Sequence, residues 1–362
     1  MMLDDFRHRG FLPSQDPLTA FPDGSPYRLL DEVGDALPER LARDDFRDWV
    51  EKLEIPPWET PHDVSRVREL RLYYVRLGFL ASAYVNQKNA PRAHRLPSNV
   101  ARPLCDACRC LERPPILSYD GYALYNWRRL DPSGPVALGN IETFQNFVEL
   151  YDEHWFILVH VEIEAIAAEV LAAILDLADQ NAFDDADAVD RAIDAITGAL
   201  SRQISVLRRI PEKMSPDRYF CDFRPYIRFF ENVEYDGVEQ GCVNFRGETG
   251  AQSSVIPALV AFFKIPHAPS ELTDHLADMR NYMPVTHRQL VERIEQMPDV
   301  KAFASPERFN AALEAMAEFR EVHYGWARTY IDQKVSDPRG TGGTPYMGWL
   351  QQLIDETRAH QI

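Results

Sequence analysis

With 362 residues, 45% of them hydrophobic and 26% charged, the chain has the length and composition for two sizeable cores in a globular protein. A formal net charge of -17 excludes a phosphate-backbone partner, because no basic stripe is present to release counterions from DNA or RNA. The opening Met-Met-Leu-Asp-Asp-Phe-Arg lacks the apolar run of a secretory signal, and the most apolar helical segment, about 154 to 178, is interrupted by Glu162, Glu164 and Glu169, so a cytoplasmic protein without a membrane span is expected.

Residues 11 to 27 carry four prolines and little periodicity, which predicts an extended arm over the surface. Helices are predicted at about 38 to 54, ended by Pro56-Pro57, and at about 62 to 87, where Val67, Leu70, Leu72, Tyr74 and Leu77 share a broad apolar face. A short helix near 102 to 111 contains Cys105, Cys108 and Cys110. No second cysteine pair stands at zinc-site spacing, so reduced, partly buried thiols are the reading. The tyrosine-rich run Ile116 to Trp127 either lines a pocket for a flat ligand or serves as core.

Turn formers cluster at Asp131-Pro132-Ser133-Gly134-Pro135, and longer helical patterns begin beyond it. This divides the chain into a small N-terminal helical domain, 1–135, and a larger helical domain, 136–362. The segment from 150 to 180 is apolar nearly all round, as a central helix would be. From 185 to 209, Val189, Ile193, Ile196, Leu200, Ile204 and Leu207 step by three or four, which predicts one buried face. No strand pattern competes.

Ser215-Pro216-Asp217 opens a helix containing Tyr219, Phe220, Phe223 and Arg224, with Pro225 ending or kinking it. An arginine among aromatic rings must find an anion, either an internal acid such as Glu231 or Glu234 or a substrate carboxylate held by two parallel hydrogen bonds. The loop from 230 to 250 runs into the small-residue stretch Gly247-Glu248-Thr249-Gly250-Ala251-Gln252-Ser253-Ser254, where a ligand can approach the backbone closely. Helices follow near 269 to 280, 284 to 297 and 305 to 334, with a short one after Pro345.

The 305 to 334 helix has Ser305 at its N-cap, Pro306 in its first turn and His323 on its apolar stripe. Such a histidine is either a core residue whose ring nitrogens find backbone partners or a metal ligand. Arg320, one turn earlier, projects beside it from a wall of Met316, Phe319, Trp326 and Tyr330. A haem wants this combination of aromatic walls, one neutral imidazole and a cation for its propionates. The glycine-rich run Gly340-Thr341-Gly342-Gly343-Thr344 lacks the lysine of a phosphate cradle and reads as a loop that closes over a ligand. No Gly-x-Ser-x-Gly elbow, His-Glu-x-x-His or Walker signature is present.

Taken together, Pro114-Pro115-Ile116-Leu117 leading to Asn126-Trp127, Val161-Glu162-Ile163, Gly250 to Ser254, Asp278 to Pro284 with His287-Arg288, Arg320, His323 and Gly340 to Thr344 resemble the indoleamine 2,3-dioxygenase family of haem enzymes. The resemblance implies an all-α, two-domain fold with haem b between the domains, dioxygen as co-substrate, and tryptophan or a related indole as substrate. On it, His323 matches the iron ligand and Arg320 a haem-propionate partner, while Thr249 and Gly250 match the haem-edge loop. Arg224 matches the binder of the substrate carboxylate, Tyr219 and Phe220 the rings over the distal pocket, Tyr119, Tyr122 and Ala123 the indole-facing wall, and Thr341 the threonine that closes on the amino acid. Leu158 falls where animal relatives have a distal serine, and His160 beside it is read as a buried structural residue. The implied reaction opens the indole to N-formylkynurenine in tryptophan catabolism, with a separate electron donor and a monomeric protein expected. The alternatives are a substituted tryptophan in a biosynthetic pathway, or a haem-binding sensor without turnover.

Overall fold

The computed structural model describes residues 3–59, 64–239, 241–334 and 346–362; Thr341 and its glycine-rich loop lie outside the described residues. The described chain is predominantly α-helical, as expected. The helices of the first half are α1 (Leu3–Arg9), α2 (Arg28–Leu41), α3 (Phe46–Glu51), α4 (Val67–Val85) and α5 (Ser98–Cys110). They are followed by α6 (Tyr151–Asp179), α7 (Ala186–Leu207), α8 (Ile210–Lys213), α9 (Pro216–Arg218), α10 (Val255–Phe262), α11 (Glu271–Arg280), α12 (Val285–Glu295), α13 (Pro306–Tyr330) and α14 (Met347–Ala359).

The long helices sit where periodicity placed them. On α7 the stripe from Val189 to Leu207 is buried, and Asp185 caps the helix by accepting the Ala188 N–H at 3.1 Å. Helix α13 begins at Pro306, but the Ser305 side chain does not cap it. Instead the Ser305 N–H donates to Asp190 of α7 at 2.9 Å, which ties the two helices together. The helix read at 38 to 54 is two helices: α2 starts ten residues earlier and carries Pro38 within it, and the chain breaks before α3.

The strands are the main departure. β1 (Arg95–Leu96) pairs in parallel with β4 (Phe230–Tyr235), which pairs antiparallel with β5 (Cys242–Phe245); β2 (Arg128–Arg129) and β3 (Ile141–Glu142) form a separate pair. The first three are too short for alternation to register. In β4 a bulge, with Asn232 at φ 52°, breaks the two-residue period, so this hairpin read as loop.

Packing crosses the 135/136 division. Phe6 and Phe11 share a core with Leu171, Ile193, Leu259 and Leu313, whereas Tyr226, Val233 and Met279 join the core built on α4 and α5. Gly10, at φ 61°, lets α1 lie against α6, since a Cβ there would stand 2.2 Å from the Glu164 carbonyl oxygen. Gly10→Ala is expected to cost about 2–5 kcal/mol, from left-handed strain plus overpacking, read as a lowered urea midpoint. An unchanged midpoint would contradict this close approach. No helix among the described residues is long and apolar enough to cross a membrane.

Candidate active site

The tyrosine-rich segment is anchored before it reaches the interior. Asp120 is buried and paired with Arg113 and, at 3.1 Å, with Arg71, and its other oxygen accepts the Gly121 N–H at 2.7 Å. The turn from Asp120 to Leu124 is a π-type turn, which inserts Tyr119, Tyr122 and Ala123 between α4 and α6. All three are at most 2% exposed. Tyr119 is held at both ends, its N–H donating to Gln252 Oε1 at 2.9 Å and its hydroxyl to Glu164 at 2.8 Å. Tyr122 stacks on Phe79 and donates its hydroxyl to Glu153 at 3.1 Å.

The Gly250 to Ser254 stretch completes this frame. Ser253 donates to the same Glu164 oxygen at 2.6 Å, and Gln252 Nε2 donates to the Gly247 carbonyl at 2.9 Å. Thr249 Oγ1 accepts the Ala251 N–H at 3.4 Å, and Gly250 faces open space, with nothing within 4 Å of a Cβ placed there. Sequence reasoning overlooked Glu153, Glu164 and Gln252; the available signal was an acid inside the most apolar helix, α6, where only a hydrogen-bonded carboxyl is tolerated.

A second π-type turn, Tyr219–Phe223, presents the next group. Tyr219 is buried, edge-on to Phe223 and Tyr330, with its centroid 5.4 Å from Phe156 of α6. Arg224 ends this turn, is 7% exposed, hydrogen-bonds to Tyr219, and lies over the half-buried Phe220 ring at 5.4 Å. Tyr346, where the described chain resumes, is within electrostatic reach of both Arg224 and Tyr219. Glu231 and Glu234 both lie on the β4 hairpin, where Glu231 is within 3.9 Å of Arg92.

His323 differs from an ordinary core histidine. Among the described residues neither ring nitrogen has a hydrogen-bond partner, and the side chain is enclosed by protein yet exposed over its own surface. Burial, with His160 adding to it, pushes the pKa down to about 4, so the imidazole is neutral at physiological pH. His287 provides the contrast: it is packed against Phe6 and Phe11, with Nδ1 3.4 Å from Ser254 Oγ.

His160 borders the same interior. Its Nδ1 lies 2.7 Å from the Phe156 carbonyl, so Nδ1 carries the proton and Nε2 is left as an acceptor. The ring is edge-on to Tyr119 at 5.9 Å and half-buried, which fits a role in packing α6. Leu158, 2% exposed, lies in the core with Ile157 and Val161.

Arg320 is 6% exposed and uses Nη1 alone, donating to the Leu353 carbonyl at 2.6 Å and to Thr357 Oγ1 on α14. No carboxylate hydrogen-bonds to it among the described residues, and burial pushes its pKa down to about 10. The hydrogen bonds of Arg320 to the described residues go to neutral acceptors, with Glu356 within electrostatic reach, so a further anion can still be accommodated. A separate cleft of about 430 Å³ beside Met214, Trp326 and Tyr330 contains none of these groups except the end of α13.

The buried acids set a pH dependence. Burial pushes Glu153 and Glu248 up to about 8 and Glu164 up to about 7, so the folded chain holds protons that the unfolded chain releases near 4.5. That contribution is complete below about 4.5 and is lost as pH rises through 7 and 8. The depressed histidines, His323 at about 4 and His287 at about 3, act oppositely, and their contribution is complete above about 6.5. Stability is therefore expected to fall by roughly 2–4 kcal/mol between about pH 6.5 and 8, measured by urea unfolding. A rise over that interval would contradict the burial of these carboxyls.

No group of three or more His, Cys, Asp and Glu side chains able to hold a metal occurs among the described residues. The arrangement instead fits a flat iron macrocycle: one neutral imidazole with no hydrogen-bond partner among the described residues, a buried cation hydrogen-bonded to neutral acceptors, aromatic rings, and a loop edge open at Gly250. It has the make-up of a helical haem pocket. The family model described as indoleamine 2,3-dioxygenase matches residues 4–335, and the chain belongs to that family. It is accordingly an oxidoreductase of the tryptophan-type dioxygenase class, and membership implies haem and dioxygen. Indoleamine 2,3-dioxygenase 1 of Rattus norvegicus is 29% identical, over 94% of this chain and 91% of that protein. A protein named myoglobin from Haliotis madaka is 27% identical, over 97% and 96%, and the 6-hydroxytryptophan 2,3-dioxygenase of Fusarium equiseti is 26% identical, over 96% and 94%.

Proposed function

We propose that the protein inserts both atoms of dioxygen across the indole 2,3-bond of L-tryptophan or a close relative, giving N-formylkynurenine. The observation that carries this is His323, a neutral imidazole whose ring nitrogens have no hydrogen-bond partner among the described residues. When bound, haem b supplies the iron at which dioxygen becomes reactive toward the electron-rich indole. His323 would hold that iron, and Arg320, Thr249 and Gly250 would serve the propionate edge. Arg224 takes the substrate carboxylate, with Thr341 closing on the amino-acid end. Tyr219 and Phe220 exclude water above the ring, and Tyr119, Tyr122, Ala123 and Leu158 form the wall that fixes the indole plane. The reading includes a cytoplasmic monomer reduced by a separate donor and a role in tryptophan catabolism.

The test is an anaerobic spectrum of the dithionite-reduced, haem-loaded protein, then mixing with L-tryptophan and oxygen. Appearance of the near-ultraviolet band of N-formylkynurenine is the expected result. The relative named myoglobin supports a second reading, a haem protein without turnover; stable oxygen binding with no product from any indole would favour it. The Fusarium relative makes 6-hydroxytryptophan the first substituted substrate to compare with tryptophan by kcat/KM.

A further inference from the structure

Glu248 is a buried acid of the chamber, 3% exposed, and unlike Glu153 and Glu164 it lacks any donor to its carboxyl among the described residues. Glu164 keeps one oxygen, Oε2, buried and unpartnered but has its other oxygen served by Tyr119 and Ser253. The backbone beneath Glu248 is firmly set. The Glu248 N–H donates to the Ile227 carbonyl at 3.1 Å, and a Cβ on Gly247 would stand 2.3 Å from that same oxygen. Tyr119, Tyr122 and Tyr219 all lie within the electrostatic reach of Glu248, and Tyr219 is also hydrogen-bonded to Arg224. Tyr219 is thus within reach of both an acid, Glu248, and an arginine, Arg224.

Burial alone pushes this carboxyl up to about 8, and no cation of the described residues offsets it. A buried carboxyl without a donor is costly in either protonation state, and selection for stability alone favours an apolar residue there. An arriving cation removes that cost by making ionisation favourable.

We propose that Glu248 receives the α-ammonium group of the substrate, so that Glu248 and Arg224 together select a zwitterionic α-amino acid; the inference rests on the indole-dioxygenase reading of the site. A substrate without the amine leaves Glu248 without a donor among the described residues.

The test is optical titration of the ferric holoenzyme with L-tryptophan, with indole-3-propionate, which lacks the amine, and with tryptamine, which lacks the carboxylate. The expected result is that L-tryptophan binds on the order of 10- to 100-fold more tightly than indole-3-propionate, as a charge-assisted contact implies. In Glu248→Gln that gap closes through loss of tryptophan affinity, while indole-3-propionate affinity, haem content and the Soret maximum stay unchanged; Glu248→Asp retains part of the gap. The proposal is overturned if the wild type shows no gap, or if Glu248→Gln weakens both ligands equally. It is overturned as well if that variant shifts the Soret band or haem content and keeps the gap, which would assign the carboxyl to the haem edge. The wild-type ligand series decides even where a variant does not fold. Binding of none of the three ligands would remove the indole reading together with this inference, whereas normal tryptophan turnover without ammonium preference would remove this inference alone.

Discussion

His323→Ala is expected to fold normally, to purify without a Soret band and to lose activity by at least about 100-fold. The lower bound follows because removing only the outer partners of a metal ligand typically costs about 10–100-fold, and here the ligand itself is removed. Folding is spared because the imidazole makes no hydrogen bond to the described residues and is exposed over its own surface, so truncation leaves neither an orphaned donor among them nor a collapsed core. Adding haem should raise the Tm of the wild type by mass action and leave that of the variant where it is. Exogenous imidazole should restore part of the haem binding, since the vacated space accepts a free ring. A variant that keeps haem and turns over tryptophan would show that the iron is held elsewhere.

The second large effect is expected at Arg224. Arg224→Ala should lower kcat/KM for L-tryptophan by roughly 30- to 5,000-fold, the equivalent of about 2–5 kcal/mol for truncating one partner of a buried charge pair. Haem content and Soret position should not change, because Arg224 lies over Phe220 and beside Tyr219 on the turn that follows α9, and not on α13. Tryptamine should be turned over equally by wild type and variant, which separates carboxylate recognition from mere support of Tyr219. Arg224→Lys should recover only part of the loss, since a point charge cannot reproduce the two parallel hydrogen bonds of a guanidinium. Equal loss with tryptophan and tryptamine would instead assign Arg224 to holding the aromatic turn.

The long amphipathic helices were legible because burial of one face imposes a local rhythm. The period on α7 and the Pro306 start of α13 belong to that class. The residues proposed for the site, His323, Arg224 and the tyrosine run, were singled out because each is costly to bury without a partner. The β4 hairpin was not legible, because its pairing partners are β1, far back in the chain, and β5 beyond a bulge. The acids that organise the chamber were equally hidden. Glu164 and Glu162 do not face one another, and the partners of Glu164 are Tyr119, 45 residues earlier, and Ser253, 89 residues later.

By itself, then, the sequence determined the helical class, the family and the residue types of the site, all of which are written in local spacing and short motifs. Tertiary structure alone decided how these groups are served among the described residues: that His323 has no hydrogen-bond partner, that Arg320 donates to neutral acceptors, and that Glu248 is buried without a donor. The reason is physical. Whether a buried polar group is satisfied depends on what the rest of the chain brings to within about 3 Å of it.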